Sequence, residues 1–130
     1  MLVDDDAATN WLNEELIEDL EMANNVVIAT NGEEALDYFN SIGDKNKASD
    51  FIRPNLVFLD INMPLMDGFE FLEKYEKLDP SLHAEVVIMF LTTSDSLSDK
   101  ERANRKLVKG FIEKPLKRDK LIEIWENYFL

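Results

Sequence analysis

Short apolar segments alternate with longer amphipathic segments along the whole chain, and this alternation constrains the fold more than any other feature. The apolar segments predict five strands, at residues 1–3, 26–29, 55–59, 86–91 and 108–112. These segments are apolar throughout. Strands have this composition when both faces of their sheet are covered, whereas strands with one exposed face alternate between apolar and polar residues. The alternation therefore predicts an α/β domain whose parallel sheet lies between two layers of helices.

Five helices are predicted from apolar residues that recur at helical spacing. In the first, over residues 8–23, Leu12, Leu16 and Leu20 recur every fourth residue beside Trp11 and Ile17, and we expect this apolar face to pack on the sheet. The expected inward residues of the second, third and last helices are Ala35, Leu36, Phe39, Phe69, Leu72, Tyr75, Leu121, Ile124, Trp125 and Tyr128. A charged segment at residues 99–106 supplies the fourth helix.

Two local signals accompany these helices. The sequence from Thr30 to Glu33 predicts a capping box at the start of the second helix. Residues 43–50 are polar and predict a loop, to which the sequence assigns no function.

Length and composition limit the class of protein. A chain of 130 residues, 45% of them apolar, predicts a single globular domain over residues 1–130. No apolar run reaches the roughly 20 residues of a membrane span, no signal-peptide pattern is visible, and cysteine is absent; we therefore expect a cytoplasmic location. The 27 acidic and 14 basic residues give a formal charge of -13, which argues against direct binding to nucleic acid or to membranes.

Polar side chains follow four of the predicted strands. Asp4 and Asp5 follow the first strand, Asp60 the third, Thr92 the fourth and, after two residues, Lys114 the fifth. A parallel sheet binds ligands at the carboxyl ends of its strands, so these residues are expected on one rim. Each Asp taken singly is a common helix cap or turn residue, but four strand ends carrying such residues favour chemistry over coincidence.

The residue types at this rim indicate phosphoryl transfer. Several converging carboxylates repel one another unless a hard cation lies among them, and Mg²⁺ prefers such oxygen ligands together with phosphate oxygens. A lysine and a hydroxyl at the same rim can neutralise and hydrogen-bond a transferred phosphoryl group.

Taken in order, the motifs resemble those of the response-regulator receiver family of two-component systems, the CheY-like family. The motifs that carry the resemblance are Leu2-Val3-Asp4-Asp5-Asp6, Phe58-Leu59-Asp60-Ile61-Asn62-Met63-Pro64, Asp67-Gly68, Leu91-Thr92-Thr93-Ser94 and Lys114-Pro115. They extend over essentially the whole chain. The resemblance implies a flavodoxin-like sheet with strand order 2-1-3-4-5 and a phosphorelay function.

The resemblance also implies roles for the acidic residues. Asp60 would accept a phosphoryl group from a sensor histidine kinase or a histidine phosphotransfer protein. Asp5 would bind Mg²⁺ directly together with Asp60, Asp4 would assist through a coordinated water, and Asn62 would contribute its backbone carbonyl. Such a domain would lose its phosphoryl group slowly and would not be a conventional enzyme.

The signalling residues follow by the same resemblance. Thr92 would hydrogen-bond the phosphoryl group, Lys114 would pair with it, and Phe111 matches the aromatic position whose rotamer responds to phosphorylation. The side chains of Asn62 and Ser94 are expected to tune the access of water to the acyl phosphate.

Partners are expected to be proteins. By analogy with the family, the kinase would dock on the first helix near Ala7, Asn10 and Trp11 and on the loop after the fifth strand. A downstream protein would bind the last helices and the fifth strand. If the chain is complete, we expect a stand-alone receiver that acts through such protein contacts. Whether phosphorylation drives formation of a homodimer stays open.

Three other functions are alternatives to this hypothesis. The main alternative is a receiver-like module that binds a partner without phosphorylation, against which the intact set of acidic residues, Thr92 and Lys114 argues. A phosphatase of the haloacid-dehalogenase kind would need a second Asp where Asn62 stands, and a flavin-binding module would need a hydroxyl- and glycine-rich loop where the aspartates stand. His83 is expected to be a surface residue without a role.

Overall fold

The computed structural model describes residues 1–44, 46, 51–93, 97–103 and 106–130. Five parallel strands form one sheet in the order β2-β1-β3-β4-β5. The strands are β1 (Leu2–Val3), β2 (Ile28–Ala29), β3 (Leu56–Leu59), β4 (Val87–Thr92) and β5 (Val108–Glu113). The fold class and strand order expected from the sequence are thereby confirmed.

Helices cover both faces of this sheet. In the described part of the chain they are α1 (Ala7–Asp19), α2 (Gly32–Ile42), α3 (Gly68–Glu76), α4 (Pro80–His83), α5 (Leu97–Arg102) and α6 (Arg118–Tyr128). The expectation of five helices missed α4, a single turn that Asp79 caps by accepting a hydrogen bond from the backbone of Ser81. One turn is too short to show an amphipathic repeat. No helix of the described residues is both long and apolar enough to cross a membrane.

The register of β1 and β3 brings two acidic residues side by side. Val3 pairs with Leu59 in the parallel ladder, so Asp4 and Asp60 are the next residues of neighbouring strands. The backbone N–H of Asp60 donates to the carbonyl of Val3 at 2.9 Å. The strand order reverses between β1 and β3, the position at which doubly wound sheets place their binding sites.

The core has two layers, one on each face of the sheet. One layer packs Val3 and Leu59 against Phe39, Phe71 and Tyr75 of helices α2 and α3. The other packs Leu2 and Phe58 against α1 and α6, through Ile17, Leu121 and Ile124. Adjacent residues of one strand enter opposite layers because side chains alternate across a strand, which is why the strands are apolar throughout.

Helix α1 packs on the sheet through only part of the face that its apolar residues predicted, because Ile17 is buried and Leu16 and Leu20 pack against the core beside it. Trp11 and Leu12 are each 60% exposed, whereas Asn10, Asn13 and Ile17 are the buried residues of the helix. The side chain of Asn10 donates to the backbone carbonyl of Asp4 at 2.8 Å, which links the inner side of the helix to the end of β1. The expected packing face is therefore wrong for Trp11 and Leu12, and the placing of Asn10 on a docking surface is wrong because that side chain is buried.

Other local predictions hold with small shifts. The expected inward residues of α2 and α3 are buried, as are Leu121 and Ile124 in α6, but Trp125 and Tyr128 are exposed. Helix α2 is capped by Asn31 rather than by the predicted box, and Thr30 bonds to Glu34 instead of Glu33. The loop predicted at residues 43–50 lies largely outside the described residues.

His83 is half-buried rather than a free surface residue. Its ring lies on that of Tyr75, with 4.6 Å between the ring centroids. A ring nitrogen lies 3.4 Å from the carbonyl of Leu78. The histidine therefore has a packing role, as a part of the contact between α3 and α4.

Candidate phosphoryl-transfer site

Three carboxylates meet at the carboxyl ends of β1 and β3. One oxygen from each of Asp4, Asp5 and Asp60 lies within 4.8 Å of the others. Asp4 and Asp60 are buried, at 4% and 7% exposure, whereas Asp5 faces solvent. The sheet register produces this arrangement, because two of the three residues extend adjacent strands and the third follows directly in the chain.

Lys114 supplies a positive charge between the two buried carboxylates. Its Nζ lies 2.6 Å from Oδ2 of Asp4 and 3.5 Å from Oδ2 of Asp60. The backbone N–H of Lys114 donates to the carbonyl of Thr92 at 2.8 Å, which ties the lysine to the end of β4. The following peptide bond, to Pro115, is cis. Four of the predicted site residues, Asp4, Asp5, Asp60 and Lys114, are thus brought together.

Burial is the largest single effect on the pKa of each central group, but it decides the direction of the shift only for Asp60. It raises the pKa of the Asp60 carboxyl above its ordinary value, the charge of Asp4 raises it further, and Lys114 opposes both effects in part. Burial alone would lower the pKa of the Lys114 ammonium, but its hydrogen bond to Asp4 and the charges of both carboxylates outweigh burial, so that pKa is raised. The ammonium therefore stays charged beside the site.

The donor set fits a hard divalent cation. Three carboxylates and one ammonium leave a net charge of about -2 when all are ionised, which a divalent cation would neutralise. Carboxylate oxygens are the ligands that Mg²⁺ prefers, and the exposed Asp5 leaves one side of the group open to water and phosphate.

Local hydrogen bonds hold the acidic turn after β1. The carboxylate of Asp4 accepts from the backbone N–H of Asp6 at 2.9 Å. Asp6 in turn caps helix α1 by accepting from the backbone of Ala8 and Thr9. Sequence reasoning included Asp6 in the acidic run but did not identify this cap, although Asp is a preferred residue there.

The remaining predicted residues lie around this centre. Thr92 is buried at the end of β4, and Asn62 lies exposed two residues after Asp60. Phe111, on β5, is half-buried, and its ring centroid is 5.2 Å from that of Phe90. Ser94, expected to tune water access, lies outside the described residues.

An aromatic row that the sequence did not reveal continues from Phe111. The ring of Phe90 also packs on Phe69, with centroids 5.2 Å apart, and the guanidinium of Arg102 lies 4.2 Å over the Phe69 ring. The row joins β5, β4, α3 and α5. Its members are far apart in sequence, so no periodic signal could have found it.

The chain belongs to the response regulator receiver domain family, whose sequence model matches residues 1–126. It is 29% identical over 127 residues to the probable transcriptional regulator ycf29 of Porphyra purpurea, covering 98% of this chain and 54% of that protein. It is 36% identical over 81 residues to the chemotaxis protein CheY of Listeria monocytogenes, covering 62% of this chain and 65% of that protein. The chain thus spans about half to two thirds of the length of these curated relatives.

A solved structure supports the fold. The two-component response regulator from Cytophaga hutchinsonii superposes with a TM-score of 0.84 at 23% identity, covering 98% of this chain and 92% of that one. This likeness supports the five-stranded sheet described above, and the family match makes the chain a receiver domain of the two-component kind.

Proposed function

We propose that Asp60 accepts a phosphoryl group and that phosphorylation changes which partners the domain binds. The observation that carries the proposal is the meeting of Asp4, Asp5 and Asp60 with Lys114 at adjacent strand ends. Such a group concentrates charge and hydrogen-bonding capacity where a phosphoryl group can be held. Membership of the receiver family supports the same function.

The proposed step is an in-line displacement at phosphorus. An oxygen of the Asp60 carboxylate forms a bond to phosphorus while the bond from phosphorus to a histidine nitrogen of the donor breaks, and the released imidazole takes up a proton. Lys114 lies close enough to Asp60 to pair with an oxygen of the phosphoryl group after transfer. Thr92, at the end of β4, would hydrogen-bond a second oxygen.

Mg²⁺ is the cation proposed for the site. Asp5 and Asp60 would hold it directly, with the backbone carbonyl of Asn62, and Asp4 would assist through a water. When bound, it supplies positive charge that offsets the charge of the phosphoryl oxygens. The fit of three carboxylates to one hard cation supports this assignment.

The phosphoryl donor is proposed to be a sensor histidine kinase or a histidine phosphotransfer protein. Trp11 and Leu12 support a protein donor, because α1 starts beside the acidic group and exposes both side chains. A shift of Thr92 and Phe111 would carry the signal to a downstream protein. The domain acts as a self-phosphorylating acceptor with slow hydrolysis, and its cytoplasmic location stays a prediction.

Intact-mass spectrometry after incubation with acetyl phosphate tests the proposal. We expect a gain of one phosphoryl group that requires Mg²⁺, is abolished in Asp60→Asn and is retained in the control Asp37→Asn, since Asp37 lies exposed on α2, outside the acidic group. Reduction of the acyl phosphate with borohydride should locate the modification at residue 60.

The contrary result is equally specific. A folded protein that binds Mg²⁺ but gains no phosphoryl group would favour the alternative module that binds partners without phosphorylation. A gain that persists in Asp60→Asn would place the acceptor elsewhere and overturn the mechanism.

A further inference from the structure

Asn10 lies beneath the acidic turn, and within the described part of the chain only one of the two polar atoms of its side-chain amide makes a hydrogen bond. The side chain is 3% exposed, and its Nδ2 donates to the backbone carbonyl of Asp4 at 2.8 Å. Its Oδ1 is fully buried and, among the described residues, has no hydrogen-bond partner. The small space beside Asn10 is lined by apolar residues of the sheet, Leu2, Val3, Phe58 and Leu91, and by the polar residues Asp4, Asp60 and Asn13.

A buried oxygen without a partner costs stability. The position is on the sheet-facing side of α1, where an apolar side chain of similar volume would avoid that cost. The presence of an amide there therefore needs a compensating role. The bond from Nδ2 to Asp4 is the contact that an apolar side chain could not make.

We infer that Asn10 is a positioning residue for the cation site, an inference that rests on the proposed function. The carbonyl that it binds belongs to the peptide linking Asp4 to Asp5. Holding that peptide fixes the direction in which Asp5 leaves the strand, although Asp5 itself is exposed. Asn10 thus acts on the cation through the backbone and touches neither the cation nor the phosphoryl group.

The other contacts of the acidic turn do not replace this bond. The backbone N–H of Asp4 donates to Ala29 at 3.1 Å, and its carboxylate is held by Asp6 and Lys114. These contacts fix the nitrogen and the side chain of Asp4. The orientation of its carbonyl, and so of the Asp4–Asp5 peptide, depends on Asn10. Partners behind metal ligands commonly change metal affinity by this kind of orientation.

The chain offers a matched control in Asn13. It lies one turn further along α1 on the same face and is 6% exposed. It also borders the same small space but, among the described residues, has no hydrogen bond to the acidic turn. Asn13→Leu therefore changes the polarity beneath the site while leaving the bond to Asp4 in place.

The test compares Mg²⁺ affinity and stability in Asn10→Leu, Asn10→Ala and Asn13→Leu. We expect isothermal titration to show Mg²⁺ binding weakened about tenfold in both Asn10 variants and changed less than about twofold in Asn13→Leu. In EDTA, the urea midpoint of Asn10→Leu should change little, because the substitution removes one unsatisfied buried oxygen and leaves another, the carbonyl of Asp4, without its donor. Asn10→Ala, which adds no bulk, serves if Asn10→Leu does not fold.

Two outcomes would overturn the inference. Equal affinity losses in the Asn10 and Asn13 variants would assign both residues to packing, and unchanged affinity in the Asn10 variants would remove the positioning role. If the native protein is still phosphorylated normally, either of these two results leaves the proposed function intact. Native protein that neither binds Mg²⁺ nor accepts phosphoryl from acetyl phosphate would overturn both.

Discussion

Gly68 begins helix α3 directly against the backbone of Asp60. A Cβ at this position would lie 2.6 Å from the carbonyl oxygen of Asp60, closer than a side chain tolerates. The N–H of Gly68 also donates to Ile61 at 2.8 Å, which closes the loop behind the site. The Asp67-Gly68 pair thus combines a helix cap with a close backbone approach, and both depend on these residue types.

At the same scale, the raised pKa of Asp60 predicts how stability depends on pH. Because burial raises this pKa in the folded state from its ordinary 3.8, the folded protein holds a proton that the unfolded chain releases. The native protein therefore loses stability, relative to Asp60→Asn, as pH rises from 3.8 through the raised pKa. We expect Asp60→Asn to have the higher urea midpoint at neutral pH in EDTA.

The measurement is urea unfolding of both proteins between about pH 4 and pH 7. The difference in midpoint should be smallest at the acid end and should reach a plateau above the raised pKa. Asp37→Asn, at an exposed site, is expected to show no such trend. Parallel curves for native protein and Asp60→Asn would contradict the assigned effect of burial.

At the scale of the element, helix α1 ends without the glycine that usually allows such a turn. Glu21 has a positive φ of 53°, its N–H donates to Glu18 at 3.0 Å, and the N–H of Met22 donates to Ile17 at 3.4 Å. This is a Schellman-type ending, in which the left-handed residue is most often Gly. The prediction that the helix reaches residue 23 failed because the sequence carries no such signal.

We therefore expect Glu21→Gly to stabilise the protein by about 1 kcal/mol, since Gly removes the steric cost of the left-handed conformation. Chemical denaturation gives the free energy of unfolding. Glu15→Gly, at an exposed position inside the same helix, should destabilise by about 1 kcal/mol. A loss of stability in Glu21→Gly would mean that the charged side chain matters more than the backbone conformation.

At the scale of the whole molecule, α1 combines two roles on opposite sides. Its inner side packs on the sheet and holds the acidic turn through Asn10. Its outer side exposes Trp11 and Leu12 on a molecule whose formal charge is -13. An exposed Trp on the helix that starts beside the acidic group is a candidate interface anchor, because Trp often dominates binding energy at interfaces.

We expect Trp11→Ala to slow phosphoryl transfer from a phosphorylated histidine phosphotransfer protein of the same organism by about tenfold or more. Phosphorylation by acetyl phosphate should be unchanged, because the small donor needs no docking surface. Trp125→Ala, on the exposed side of α6, is the control for loss of an indole. Equal transfer rates in native protein and Trp11→Ala would exclude this face as the donor's docking surface.

The sequence alone determined that the chain forms a parallel sheet and which residues lie at the rim formed by the carboxyl ends of its strands. Apolar strands must be covered on both faces, and parallel strands end at a common edge, so Asp4, Asp60, Thr92 and Lys114 could be assigned to one rim from their order in the chain. This inference needs only the alternation of elements and the residue that follows each strand.

Only the tertiary structure decided which side of α1 faces inward and how the charges pair. The leucine spacing placed Trp11 and Leu12 on the packing face, but the folded helix buries Asn10 and Asn13 beside Ile17 and leaves Trp11 exposed. The approach of Lys114 to Asp4 likewise depends on the register of β5 against β4. Both outcomes rest on contacts between elements, which local periodicity cannot encode because it describes one element at a time.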